Sequence, residues 1–292
     1  MAPTPDTPFH DRDGWIWFDG NFVPWRDAQV HVLTHGLHYG SSVFEGERAY
    51  GGKIFESAKH TQRLMRSAEI MGFQIPFSFE EIEKAKADTL EKSGLADCYL
   101  RPIAWRGSEK MGVSAQHNTI HLAIAAWAWG AYFADRMTGI RLGMAKWRRP
   151  APDTAPFEAK AAGLYMIATL SKHAAEAEGF ADALMLDYRG LVSECTGANV
   201  FFLRDGAIHT PVPDCFLDGI TRRTVIALAK SKGYEVIERH IDPSELPTFS
   251  ECFITGSAAE ITPVNEIAGQ FYQPGRVTEE LVHAYDSLVR GR

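Results

Sequence analysis

Lys160 stands in a run of small residues, after Ala159 and before Ala161, Ala162 and Gly163. Small neighbours let a planar partner approach a lysine closely, and a desolvated lysine is more readily neutral and nucleophilic. Taken alone, a lysine among alanines is more simply a solvated residue at a helix start. Gly219-Ile220-Thr221 opens a helical stretch, where backbone N–H groups and the positive end of the dipole form an anion site beside the Thr221 hydroxyl. The plainer account there is a threonine cap. Thr255-Gly256-Ser257-Ala258-Ala259 follows a short strand and either offers N–H groups to a phosphate or carboxylate or is just a turn.

Strand parity is more specific. Over residues 42–50, Phe44, Gly46 and Arg48 share one face, with Glu45 and Glu47 on the other. Over 98–105, Tyr99, Arg101 and Ile103 share a face. An apolar ring, a gap and a guanidinium on one surface suit a ligand with an apolar tail and a carboxylate. A half-exposed strand with snorkelling arginines is the alternative.

Other chemistries are excluded by pattern. His31, His35 and His38 have helix-face spacing, but no carboxylate completes a zinc motif, so they read as hydrogen-bonding histidines and no metal is expected. No G-x-G-x-x-G, P-loop or G-x-S-x-G segment occurs. The four cysteines lie at long irregular gaps, which suits a reducing compartment. A formal net charge of −7 argues against nucleic-acid or membrane-surface partners. The basic cluster Lys146, Arg148 and Arg149 reads as a solvated loop. Residues 1–13 contain no apolar signal-like core, and the longest apolar run, 122–134, is shorter than the ~20 residues of a membrane helix. A cytoplasmic protein is expected.

The elements that would position these residues are legible as periodicities. Asp19-Gly20 predicts a hairpin over 15–25, and 42–50 predicts a strand turned by Gly51-Gly52 into 53–55. Helices are predicted over 57–71, stopped at Gly72, and from Ser78 to Gly94, where Ser78 and Glu81 have capping-box spacing. Strands follow at 98–105 and 119–127, then a linker over 131–139. Beyond it, residues 140–147 start a second unit, and a helix is predicted over 164–178 with Ile167, Leu170 and Ala174 as its buried stripe. Strands at 183–187, 191–195, 199–203 and 207–210, a helix over 221–232 and a strand at 234–240 complete the reading. The fold class is α/β (mixed α+β): an N-terminal domain 1–130 rich in antiparallel pairs, the linker 131–139, and a domain 140–292 carrying Lys160.

In this order, over about 15–264, the motifs resemble one family, the branched-chain aminotransferases among the fold-type IV pyridoxal-phosphate (PLP) enzymes. The residues that carry the resemblance are His38-Tyr39-Gly40, Val43-Phe44-Glu45-Gly46, His60-Thr61-Gln62-Arg63-Leu64, Tyr99-Leu100-Arg101-Pro102 and Trp129-Gly130-Ala131-Tyr132. Further on come Ala159-Lys160-Ala161, Ser193-Glu194, Gly219-Ile220-Thr221 and Ala258-Ala259-Glu260-Ile261-Thr262-Pro263. The resemblance implies pyridoxal 5'-phosphate as cofactor, bonded to Lys160, which also serves as catalytic base. It implies Glu194 on the ring nitrogen, Tyr165 on the ring hydroxyl, and Arg63, Ile220, Thr221 and Ser257 on the phosphate. Arg101, Tyr99 and the amides of Ala258 and Ala259 would take the substrate carboxylate. Phe44, Tyr39, Trp129, Tyr132, Met111 and Val113 would line the apolar pocket, some of them from the partner subunit of a homodimer or an assembly of dimers. The substrates implied are branched-chain L-amino acids and 2-oxo acids, probed by double-displacement kinetics, with Arg48, Tyr99 or Arg101 needed to reach the distal carboxylate of glutamate. Departures from the family pattern are Glu47, Leu164, Cys195-Thr196 and Ala198, and they bear on substrate range. D-amino-acid or (R)-amine aminotransferases and aminodeoxychorismate lyases are the relatives to separate, and a non-catalytic small-molecule binder is the reading from another class.

Overall fold

Asp19 (φ 46°) and Gly20 (φ 94°) close a two-residue turn between β1 (Trp15–Phe18) and β2 (Asn21–Pro24), a conformation whose twist matches the flanking strands. The protein is described here by a computed structural model covering residues 7–129 and 137–292. It divides into two units, Met1–Gly130 with Ala159–Gly163, and Ala131–Glu158 with Leu164–Arg292. Lys160, expected with residues 140–292, therefore groups with the first unit. Most of the expected linker, and Tyr132 with it, lies outside the described residues.

The first unit continues with α1 (His35–Tyr39), β3 (Ser42–Phe44), β4 (Glu47–Tyr50), β5 (Lys53–Ile54), α2 (Ser57–Ile70), α3 (Phe79–Ser93), β6 (Cys98–Arg106) and β7 (Ile120–Ala128). Its strands form one antiparallel sheet in the order β2-β1-β7-β6-β4-β5, with β3 also on β6. Ser78 caps α3 in the expected box: its hydroxyl accepts from the Glu81 amide, and the Glu81 carboxylate accepts from the Ser78 amide. The predicted single strand 42–50 is broken at Glu45 and Gly46. The register on β6 nevertheless runs through, Phe44 opposite Ile103 and Glu47 opposite Leu100. That register sets Glu45 opposite Pro102, and the Glu45 amide donates to the Pro102 carbonyl at 2.8 Å. Proline has no N–H to return, so the ladder loses a rung there while side-chain parity survives.

The second unit contains β8 (Ile140–Met144), α4 (Met166–Ala177), β9 (Asp182–Leu186), β10 (Val192–Cys195), β11 (Asn199–Arg204), β12 (Ala207–Thr210) and α5 (Ile220–Ser231). It ends with β13 (Val236–Glu238), β14 (Glu251–Gly256), β15 (Glu260–Ile267), β16 (Gln270–Phe271) and α6 (Arg276–Arg290). The strand order is β10-β9-β8-β15-β14-β11-β12-β13, and a further pairing of β10 with β11 closes the path on itself. Parallel pairs β8–β9, β8–β15 and β12–β13 mix with antiparallel ones. Inside lies an apolar core including Leu142, Leu184, Val200, Phe202, Ile254 and Val264. The expected stripe on α4 is corrected by one residue: Ala168, Ser171 and Ala175 are buried, while Leu170 is exposed. The helix lies so close that a Cβ on Gly143 of β8 would stand 3.6 Å from Ala175 Cβ, so small residues, not large ones, face the sheet. No element was expected over α6, although its buried residues Leu281, Val282, Tyr285 and Val289 recur at helical spacing.

Candidate active site

In the first unit, residues 159–163 are stitched to β3. The Lys160 amide donates to Ser67 Oγ at 3.0 Å, its carbonyl accepts from the Phe44 amide at 3.1 Å, and Ala161 bridges to Val43. Gly163 faces Gly40, where a Cβ would fall 3.0 Å from the Gly163 Cα. The small residues around Lys160 thus have a concrete reason: the backbones approach closely at Gly40 and Gly163, and Ala159 and Ala161 are buried. This pins the main chain of Lys160 and leaves its side chain, with Nζ 4.9 Å from the Phe44 ring centre, as the adjustable part.

Strand parity places the neighbours. Arg48 lies directly opposite Tyr99, and Arg101 stacks over both Phe44 (4.8 Å) and Tyr99 (5.3 Å) and donates to the Tyr99 hydroxyl at 3.2 Å. Gly46 is the gap: a Cβ there would be 1.8 Å from Tyr99 Oη. Trp129 lies against Tyr99, the ring centres 4.9 Å apart and the planes tilted by 37°. Phe44, Tyr99, Arg101, Trp129 and Lys160 are therefore one group. Tyr39, Met111 and Val113 form another, exposed, around His35, which stacks on Tyr39 and bonds the Gly112 carbonyl through Nε2 at 3.0 Å. His31 and His38 bond the Leu33 amide and Val32 carbonyl, and α1 is too short to put all three histidines on one face.

Behind β3 and β4 lies a buried polar layer. Glu45, fully buried, receives Arg63 Nε and Nη2 at 2.6 and 2.8 Å and His60 Nδ1 at 2.6 Å. Burial alone would raise its pKa, but the charges and hydrogen bonds of Arg63 and His60 outweigh it and hold the carboxyl below the usual range. The motif His60-Thr61-Gln62-Arg63 thus aims Arg63 through a bidentate fork. Glu47, the family departure, meets Lys86 Nζ at 2.9 Å, and Lys86 also bonds Glu83 and the Ser57 carbonyl. Here burial wins and pushes the Glu47 carboxyl up, with Lys86 opposing. Lys86 was not singled out in the sequence, yet it interrupts the buried stripe Ile82, Ala85, Thr89 and Leu90 of α3, a signal that a buried partner exists.

In the second unit, Glu194 sits where β10 and β11 close the sheet, opposite Asn199. A bulge at Ser193 shifts the register between Val192 and Glu194 and turns Glu194 to the face Ser193 would have held. The carboxylate is gripped at both oxygens, Oε1 by Arg149 Nη2 at 2.8 Å and Oε2 by Asn199 Nδ2 at 3.2 Å. Arg149, read from sequence as a solvated loop residue, is therefore buried and paired, while Lys146 and Arg148 of that cluster are not buried. Parity could not reveal this, because Arg149 lies outside the strands, its backbone placed by an isolated parallel bridge to Asp187.

Gly219 caps α5 and supplies no side-chain oxygen, so the amides of Ile220 and Thr221 at the helix start receive no side-chain cap from it. Thr221 itself is in the first turn and is not the cap. The turn Ser257-Ala258-Ala259 joins β14 to β15, and just before it the Thr255 hydroxyl is buried with no partner among the described residues. Tyr165 ends a short turn, Ala162–Tyr165, at the start of α4. Of the departures, Thr196 donates to Asp182 Oδ1 at 2.6 Å and Cys195 and Ala198 fill the core. Nothing in the structure explains Leu164. In the second unit, a buried carboxylate aimed by two donors and an uncapped helix start are groups that a phosphorylated pyridine requires, and in the first unit Lys160 is an amine of the kind that binds its aldehyde, so the residues of each unit fit it.

A mixed α/β chain with these groups is a cofactor-dependent enzyme of the aminotransferase class. Residues 42–267 match the family of class IV amino-transferases, and the chain belongs to that family. It is 43% identical to the branched-chain-amino-acid aminotransferase of Pseudomonas aeruginosa, covering 97% of this chain and 95% of that one, and 40% identical to the Escherichia coli enzyme, covering 95% and 93%. Among solved structures, a T.th. branched-chain amino acid aminotransferase with pyridoxamine 5'-phosphate superposes with a TM-score of 0.93 at 40% identity, over 96% and 95% of the two chains. That of Thermoproteus uzoniensis with norvaline gives 0.92 at 36%, over 96% of each.

Proposed function

We propose that this chain is a PLP-dependent aminotransferase that moves the amino group of leucine, isoleucine or valine to 2-oxoglutarate, releasing the branched-chain 2-oxo acid and L-glutamate. The observation that carries it is Glu194, a buried carboxylate aimed by Arg149 and Asn199 in the same unit as the uncapped start of α5. When bound, the cofactor supplies an electron sink for the bond broken at the substrate Cα. Lys160 Nζ would hold the cofactor aldehyde and, as a free amine, would take the Cα proton. Glu194 accepts the ring N–H, and Tyr165 bonds the ring hydroxyl. The Ile220 and Thr221 amides, Ser257 and Arg63 bind the phosphate, with Glu45 fixing the guanidinium of Arg63. Arg101, Tyr99 and the amides of Ala258 and Ala259 orient the substrate carboxylate. Phe44, Trp129 and Tyr132 exclude water around its apolar tail, and Arg48 lies within the same strand pair to receive a second carboxylate.

The exposure of Tyr39, Met111 and Val113 supports a homodimer in which this group lines the partner's pocket. The four cysteines are free, which supports a cytoplasmic enzyme; among the described residues no helix is long and apolar enough to cross a membrane. The test is spectroscopic. PLP-saturated protein should show a visible band bleached by borohydride, and L-leucine should convert it, whereas D-alanine and (R)-1-phenylethylamine should not. Conversion by either of the latter alone would reassign the substrate, and absence of the band would refute the cofactor.

Gly46→Ala should lower kcat/KM for L-leucine about tenfold or more, because the methyl displaces the Tyr99 hydroxyl and its bond to Arg101. Steady-state kinetics beside a thermal melt check this. Kinetics equal to wild type would remove Tyr99 from the substrate site.

A further inference from the structure

We infer that Asn199 is a positioning residue that couples Glu194 to the start of α5, so that the ring-nitrogen end and the phosphate end of the cofactor site move together; this rests on the roles proposed above for those groups. Asn199 is 5% exposed, and its amide nitrogen makes two bonds, to Glu194 Oε2 at 3.2 Å and to the Leu217 carbonyl at 3.1 Å. Its orientation is forced: the flipped amide would turn an oxygen towards a carboxylate and a carbonyl, three acceptors with no proton among them. With the nitrogen so placed, Oδ1 packs on Gly219, where a Cβ would stand only 2.3 Å away. One side chain thus grips the segment 217–219 at two points, directly before the amides of Ile220 and Thr221, while holding the carboxylate. Gly219 has an ordinary extended backbone (φ −64°, ψ 140°), so the need for glycine there comes from this contact and from no special conformation.

The backbone of Asn199 reinforces the link. It lies opposite Glu194 across the β10–β11 closure and opposite Thr255 across β11–β14, one residue before the Gly256–Glu260 turn. Arg149 holds the other oxygen of Glu194 but makes no bond to the 217–219 segment among the described residues. Asn199 is therefore the side chain through which a shift at one end reaches the other.

The two ends are separated by comparing PLP with pyridoxal, which lacks the phosphate. Dissociation constants are measured on apoprotein by equilibrium dialysis, with the apoprotein melting temperature as a control for folding. Gly219→Ala should weaken PLP about tenfold and pyridoxal nearly as much, because the methyl dislodges Asn199 and with it Glu194. In an Asn199→Ala background the same substitution should change either constant by less than about twofold, since the obstructing oxygen is gone. If Gly219→Ala weakens PLP but leaves pyridoxal at its wild-type value, the ends are independent and the coupling is wrong. Asn199→Asp keeps the shape but replaces the donor, and should lower the advantage of PLP over pyridoxal by releasing Leu217. An unchanged advantage would also overturn the coupling, even if Asn199→Ala does not fold. Wild-type protein that binds neither compound would instead overturn the cofactor reading itself.

Discussion

Lys160→Ala should retain its fold and lose at least about 10³-fold in kcat, the range expected when a positioned base and covalent anchor are removed together. The fold is expected to survive because Lys160 contributes its main chain to the packing: its amide bonds Ser67, its carbonyl bonds the Phe44 amide, and both bonds are indifferent to the side chain. A thermal melt within a degree or two of wild type, with PLP still bound but no longer fixed by borohydride, is the expected signature. Borohydride labelling of Lys160→Ala at wild-type stoichiometry would show that another lysine carries the cofactor. A large loss of stability would show that the long side chain is structural.

Lys86→Met should destabilise the protein by about 3–5 kcal/mol, the cost of leaving one member of a buried ion pair without its partner. Lys86 and Glu47 have no accessible side-chain surface to speak of, 0% and 1%, so water cannot replace the lost ammonium. Methionine has nearly the same volume, which separates the charge effect from a cavity effect. The pH dependence has a definite sign. Burial raises the Glu47 pKa in the folded protein, so between the unfolded value near ~4.3 and the folded one the native state holds the extra proton and stability falls as pH rises. Removing Lys86, which opposes that rise, should widen the window and steepen the loss. Urea melts at mildly acidic and neutral pH should show Lys86→Met closer to wild type at the acidic end. Glu47→Leu added to Lys86→Met should recover most of the stability, and a double variant as weak as the single one would remove the buried charge as the cause.

Much of the fold could be read in advance because its signals are local. Asp19-Gly20, the Ser78–Glu81 box and Gly72 each act within four or five residues, and each appears in the structure where expected. The α4 stripe failed for a non-local reason: the sheet beneath offers Gly143, and close approach reverses the usual preference for large residues on the buried side. The break at Glu45 likewise depends on Pro102, far along the chain.

The chemistry divides along the same line. Sequence by itself determined the kinds of groups present and, through motif order, the family: a lysine among small residues, a glycine-started helix, an arginine and a tyrosine on one strand face. Alternation along a strand is enforced by the backbone, so the parity of Phe44, Gly46, Arg48, Tyr99 and Arg101 needed no partner to be legible. Tertiary structure alone decided which groups hold the others in place. Arg149 and Asn199 on Glu194, and Lys86 on Glu47, are pairings across separate strands and helices. A buried charge is stable only with a counter-charge or donors, but which residue supplies them depends on strand register, a bulge at Ser193 and the packing of a helix, none of which is written in the spacing of the residues themselves.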